Sequence, residues 1–418
     1  MQTSGWRTFI ARLAQRIWFR LALFAALALT VSLLGRFLGP ALPDAWALDF
    51  GQDSVATILQ ILASSMLAVT TFSLTVMISA YSSAAAQTTP RATQLLLADN
   101  TSQNALASFL GSFVYAIVGI VALSTSYYGE KGRTLLFLGT LVVIVIVVAT
   151  LVRWIHHLQN FGRMADVLDR VEKSAHETVC AYAAAPTLGG APATDVPASA
   201  RAIRAQQPGC VTGIAVAALA QAAEGAGVVV HVDALPGVTV GLGTPLAYVE
   251  GFADDDTVAA IRDAFRVEKH RTFEQDPRLG LVALSEIGSR ALSPSTNDPG
   301  TAIEALNAIQ RVMTDLLMAE PDDDVTHPTL RVPTVSLEDL IEDALRPLAR
   351  DGAGIVEVGL RVQRLLGDLV AIAGPHDASV LRSASERAEQ RATGGLPDEG
   401  DRVLIAAAAA KARDRTRI

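Results

Sequence analysis

Residues 56–83 read ATILQILASSMLAVTTFSLTVMISAYSS, an apolar segment interrupted by Thr57, Gln60, Ser64, Thr71, Thr75, Ser79 and Ser82. At about 100° per residue these polar positions fall within roughly one third of a helix circumference, and Ala68 fills the one gap in the row. The segment is long enough for a hydrocarbon core of about 30 Å. A helix so built presents lipid-compatible residues on one side and asks for polar or close-packed surroundings on the other. The chain is therefore read as a multispan membrane protein.

Working outward, this stretch is the second of four apolar runs in the first 157 residues. The first covers about Ile17 to Leu38, the third about Ala105 to Tyr127 and the fourth about Thr134 to Trp154. Before them, Trp6, Phe9, Ile10, Leu13 and Ile17 alternate with arginines, as in an amphipathic lead-in on a membrane surface. Ala45-Trp46-Ala47 resembles a small-residue cleavage site, but it lies well past the first run and beyond two prolines, so that run reads as an uncleaved span. Arg7, Arg12, Arg16, Arg20, Arg91, Arg153, Arg163, Arg170 and Lys173 share one side, while residues 39–53 carry only the acidic charges Asp44, Asp49 and Asp53. That asymmetry places both termini in the cytoplasm. The third run holds Ser108, Ser112 and Ala116 at four-residue spacing beside Gly111 and Gly119, a pattern suited to close helix packing. No Asp, Glu, Lys or Arg lies at the centre of a span, which argues against a charged relay.

The remainder reads as a mixed α+β cytoplasmic domain. The expected organisation is an amphipathic segment (1–16), a four-span membrane domain (17–157), a helical extension (158–180), an extended linker (181–208), a small β-hairpin or barrel-like module (209–252) and a helical domain (253–418). Within the β-module, strands are expected at 227–232, 238–240 and 246–249, the first two joined through Leu235-Pro236-Gly237. The glycine spacing is similar to that of biotinyl- or lipoyl-type barrels, although no lysine sits at the turn to carry a prosthetic group. Helices are expected from Asp254 to about Arg271, over 277–292, from Asp298-Pro299 onward and after Ser336, with breaks at Gly374-Pro375 and Gly394-Gly395. Cys180 and Cys210 are too few for a disulfide framework and are read as reduced thiols without partners at metal-ligand spacing. His156-His157 and His231 read as border and packed residues. A formal net charge of −8 gives no reason to expect nucleic acid.

A set of short motifs carries a resemblance. Arg271-Thr272-x-x-Gln275-Asp276 is followed by Arg290-Ala291-Leu292-Ser293-Pro294-x-x-Asn297-Asp298-Pro299-x-Thr301-Ala302. Phe72-Ser73-Leu74, Pro90-Arg91, Phe109-Leu110-Gly111 and Ile155-His156-His157 belong to the same set. Together they resemble the bacterial predicted-membrane-protein family known as domain of unknown function twenty-two fifty-four, over about residues 50–350. Gly300 departs from the family pattern, where a bulky apolar residue is usual. The resemblance implies four spans in the bacterial inner membrane and a cytoplasmic domain, and it implies no established activity.

Two sites follow as candidates. Thr57, Gln60, Ser64, Ala68, Thr71, Thr75, Ser79 and Ser82 would line a pore between copies of the chain, or would pack against other helices. Arg271, Thr272, Gln275, Asp276, Asn297 and Asp298 would form either a structural clasp or an anion pocket at a helix N-terminus. Phosphate loops, nucleophile elbows, zinc spacings and paired catalytic carboxylates are missing from the sequence, so neither an enzyme nor a cofactor is expected. The expected partners are the lipid bilayer, further copies of the chain and a small ion. The weighed functions are a homo-oligomeric ion pore, a membrane-anchored sensing or interaction scaffold, and a small-solute transporter, the last weakened by the lack of internal repeats.

Overall fold

A computed structural model describes residues 52–97, 99–124, 130–322 and 324–416, together with helical Phe19, Ala22, Leu23, Ala26 and Thr30. The amphipathic lead-in and most of the first apolar run lie outside the described residues. The chain divides into two compact units, Met1–Ala86 with Thr93–Asp166, and Gln87–Ala92 with Val167–Ile418.

In the first unit, helices α1 (Gln52–Gln87), α3 (Asn100–Ser124) and α4 (Glu130–Asn160) correspond to the second, third and fourth apolar runs, while the short α2 (Pro90–Leu97) begins in the second unit, to which residues 90–92 belong. Ser54–Ala85, Asn100–Ser124 and Arg133–Gln159 contain 18-residue stretches with mean hydropathies of 1.9, 2.2 and 3.1, and all three are long and apolar enough to cross a membrane. At 36 residues α1 is about 54 Å long, well beyond the thickness of a hydrocarbon core.

Apolar side chains from the three helices share one core, with Val55, Leu59 and Met66 from α1, Phe109, Tyr115 and Leu123 from α3, and Leu136, Val143 and Trp154 from α4. The small residues of α3 make this possible. Gly111, Ser112, Ala116 and Gly119 are buried. A Cβ on Gly119 would stand 3.0 Å from Leu59 Cδ1 and 3.7 Å from Leu136 Cδ1, so its bare backbone seats side chains from both neighbours. The outer face of α4 remains exposed through Val142, Val145, Val148 and Val152.

At one end of this unit polar groups are paired. The Trp154 indole donates to Ser73 Oγ at 3.0 Å. Asp99 accepts the Ser102 amide at 2.8 Å and lies 3.0 Å from His157 Nε2. The expected helical extension is not continuous: α4 stops at Asn160, Gly162 adopts φ +75°, and α5 (Met164–Ala184) begins afresh. Glycine alone visits that conformation without penalty.

The second unit contains two sheets where a single small module is expected. One has five strands in the order β1-β8-β4-β6-β2 and the other three in the order β5-β3-β7. Strands β1 (Gly190–Pro192) and β2 (Arg201–Arg204) lie inside the stretch expected to be a linker, and both are hydrogen-bonded sheet members. The expected hairpin does not form. Instead β4 (Val229–Val232) pairs antiparallel with β6 (Pro245–Glu250) and parallel with β8 (His327–Val332), while β5 (Thr239–Val240) pairs with β3 (Gly209–Ile214). Leu235-Pro236-Gly237 thus carries the chain from one sheet to the other.

Two further differences follow from local burial. Residues 216–226, assigned to the β-module, form helix α6 (Val216–Ala226), which buries Leu219, Ala220 and Ala223. Helix α7 (Asp255–Asp263) ends before Arg271 because Phe265 must point inward on β7 (Phe265–Glu268), which pairs with β3. The two sheets and these helices bury Val211, Ile214, Leu219, Val230, Val249, Ile261, Phe265 and Leu330 in one core.

The helical remainder comprises α8 (Pro277–Ala291), α9 (Pro299–Met318), α10 (Leu337–Asp351), α11 (Val356–Val370), α12 (Pro375–Gly395) and α13 (Glu399–Arg413). Ser336 caps α10 by accepting the Asp339 amide at 3.1 Å, and α12 starts at Gly374-Pro375 and ends at Gly394-Gly395. Arg91, read from sequence as a reporter of topology, is ion-paired to Glu286 of α8.

Candidate functional site

Thr57, Gln60, Ser64, Ala68, Thr71, Thr75, Ser79 and Ser82 are all exposed, whereas Val55, Leu59, Leu62, Ala63, Met66 and Ser73 are buried. At about 100° per residue the two rows are half a turn apart, so the polar row is the edge that α1 turns away from the other described helices. Just past α1, Thr88 and Thr89 are buried in the second unit.

Three hydroxyls of this row donate to their own helix. Ser64 Oγ donates to Gln60 O at 3.0 Å, Thr71 Oγ1 to Leu67 O at 3.0 Å and Thr75 Oγ1 to Thr71 O at 3.0 Å. A hydroxyl that spends its proton on the backbone keeps its oxygen lone pairs for acceptance. Such a face carries negative partial charge without a formal one.

The second candidate set separates into two places at opposite ends of α8. At the N-terminal end, Asp276 is 1% exposed and is gripped by Arg271 through Nε at 2.7 Å and a terminal nitrogen at 2.9 Å. The same carboxylate caps α8 by accepting the amides of Arg278 at 3.1 Å and Leu279 at 3.2 Å. Gly237, at φ +97°, passes so close that a Cβ there would lie 2.7 Å from the carboxylate. Gln275 continues the β3 backbone pattern, its Oε1 accepting the Ile214 amide at 2.8 Å. Thr272 is adjacent, and its Oγ1 is buried without a hydrogen-bond partner.

Beyond the C-terminal end of α8, Asn297 takes φ +47° and donates its amide to Ser293 O at 2.8 Å. Asp298 then caps α9, accepting the Thr301 amide at 3.1 Å and its hydroxyl at 2.6 Å. Those hydrogen bonds, the hydroxyl's first, hold the Asp298 carboxyl below its ordinary range. A Cβ on Gly300 would come within 3.2 Å of Asp298 Oδ1, so this unusual glycine sits in the first turn beside the cap. With 15 residues of α8 between them, about 22 Å, the six positions form two helix caps and not one pocket. At each end the side-chain carboxylate occupies the place an anion would need.

His231 lies on β4, 3.2 Å from Glu250. The expectation that Cys180 lacks partners at metal-ligand spacing does not hold. His176 stands four residues before Cys180 on α5, and both face Asp315 of α9. The signal was present as His-x-x-x-Cys, the spacing that puts two side chains on one helix face.

Comparison with known proteins fits this architecture. The family described as Predicted membrane protein (DUF2254) matches residues 14–368. The chain belongs to this family. It is also similar to uncharacterized proteins of Mycobacterium tuberculosis and Mycobacterium bovis, each 26% identical over 269 residues, covering 61% of this chain and 50% of theirs. The chain thus spans about half the length of the curated relatives it matches. No solved structure matches.

Proposed function

We propose that the protein is a subunit of a homo-oligomeric, cation-conducting pore in a bacterial inner membrane, lined by the polar face of α1, with the C-terminal unit in the cytoplasm. One observation carries this reading: the whole polar row is exposed, on the face of α1 turned away from its packing against the other described helices. In a lone subunit that row, Gln60 included, would face hydrocarbon, where an amide without partners costs several kcal/mol, about 4–8 on a water-to-cyclohexane scale. Copies arranged about an axis would turn the row toward enclosed water instead. Outward lone pairs on Ser64, Thr71 and Thr75 favour cations over anions. Contact between copies also supplies the extra helices that a wide path needs.

The test is direct. The detergent-solubilised protein should have the mass of a multimer, and reconstituted bilayers should pass cation current that Thr71→Leu or Thr75→Leu reduces. A monomeric mass, or currents indifferent to both substitutions, would remove the pore.

A second reading is a membrane-anchored interaction scaffold. It is favoured by the same backbone hydrogen bonds, because hydroxyls already donating to their own helix tolerate lipid or a packed helix face at little cost. Multimers that pass no current would leave this account in place.

A further inference from the structure

Outside the two candidate sites, the described residues bring together one set of metal-ligating side chains. His176 and Cys180 project from successive turns of α5, and Asp315 reaches them from α9; their ligand atoms all lie within 4.8 Å of one another. His176 Nδ1 is 2.7 Å from Asp315 Oδ2 and 3.7 Å from Cys180 Sγ. We propose that His176, Cys180 and Asp315 form a zinc site, with the fourth position left to water.

Geometry is the first argument. Tetrahedral zinc with bonds of about 2.0–2.3 Å sets nitrogen–oxygen and nitrogen–sulfur edges near 3.3 and 3.6 Å. The observed nitrogen–sulfur separation of 3.7 Å already matches, and the nitrogen–oxygen pair needs to open by only a fraction of an ångström. Rotation about exposed or half-buried side-chain bonds provides that, with the helices fixed.

Chemistry is the second. Imidazole, thiolate and carboxylate form a mixed set of the kind that zinc accepts and that magnesium and calcium do not. Binding converts the Cys180 thiol to a thiolate, with its proton released to solvent and no electrons transferred. A divalent cation between the three groups would accept both the sulfur and the carboxylate.

Access is the third. Asp315 borders an open cleft of about 500 Å³ together with Glu172, Gln310 and Arg311, and His176 is exposed, so the cluster is reached from solvent. The neighbouring carboxylate Glu172 is held by Arg311 at 2.7 Å, which keeps it from competing as a ligand.

The experiment uses the full chain in detergent, reduced and stripped of metal, titrated with cobalt(II) and then zinc. A thiolate-to-cobalt charge-transfer band should grow to one equivalent per chain and disappear when zinc displaces the cobalt. Zinc addition to the metal-free protein should release close to one thiol proton at neutral pH. Cys180→Ser should abolish the band, Cys210→Ser should keep it, and His176→Gln or Asp315→Asn should weaken binding by at least about 10–100-fold, the range seen even for outer-shell losses. The site is refuted by no band in the unaltered chain, by a band that survives Cys180→Ser, or by wild-type affinity in both His176→Gln and Asp315→Asn.

Discussion

The two polar regions differ in what the chain does with them. Along α1 the polar row faces out, and the hydroxyls of Ser64, Thr71 and Thr75 donate to the helix itself. Around Asp276 the polar groups face in, and one carboxylate satisfies an arginine and two backbone amides together. A residue whose hydrogen bonds close within its own chain holds the fold, and altering it should cost stability. An exposed row with outward acceptors contributes little to folding. Substitutions at the two places should therefore fall at opposite ends of a stability scale.

The largest loss is expected from Asp276→Ala. It removes a helix cap, worth about 1 kcal/mol, and strands a half-buried guanidinium, so about 3 kcal/mol is expected after allowing for the partial exposure of Arg271. Denaturant unfolding of the full chain in detergent measures it, and a loss under about 1 kcal/mol would mean that the buried pair is not a fold determinant. Next is Gly237→Ala, which places a methyl 2.7 Å from the same carboxylate at φ +97°. A positive φ and a forced displacement together cost about 2 kcal/mol. If the two substitutions prove additive, the turn and the carboxylate are not coupled in the way their contact implies.

A smaller effect is expected at the far cap. Asp298→Ala removes an exposed cap and should cost about 1 kcal/mol. Its folded carboxyl is held low by Thr301, so the stabilisation is complete above the unfolded value of about 4 and fades as pH falls through the lower folded value. The gap between wild type and Asp298→Ala should thus be flat at neutral pH and close in acid. A gap that widened on acidification would contradict the hydrogen-bonding pattern.

What the sequence reveals divides along a physical line. The three described membrane helices, the α1 row and the caps at Asp298-Pro299 and Ser336 depend on spacing within one element, and each is legible from residue order. Strands β1, β2 and β8 depend on partners: β8 joins β4 through Val230–Leu330 pairing, a hundred residues apart, and no local period announces it. For the same reason Leu235-Pro236-Gly237 looks like a hairpin turn while serving to change sheets. The clasp motif is legible as two caps but not as two separate places, because the 15 residues of α8 between them become distance only once they are helical. His176 and Cys180 were readable as a helix-face pair, but Asp315, 139 residues beyond His176, is brought in by the packing of α5 against α9.

The smallest expected cost to folding is at Thr71→Leu, and it sharpens the contrast most. Thr71 is exposed, its hydroxyl donates within its own helix, and leucine is a better helix former and at home in lipid. Stability should change by no more than about 0.5 kcal/mol, the usual range for surface substitutions. If the row faces only lipid, function should be equally indifferent. If copies of the chain enclose water along it, a leucine at mid-span replaces an acceptor with a branched apolar side chain in every subunit at once. Conductance should then fall while the unfolding curve stays in place. A large stability loss at Thr71, with no change in current, would show that the row is packed against protein, and the distinction between the two polar regions would vanish.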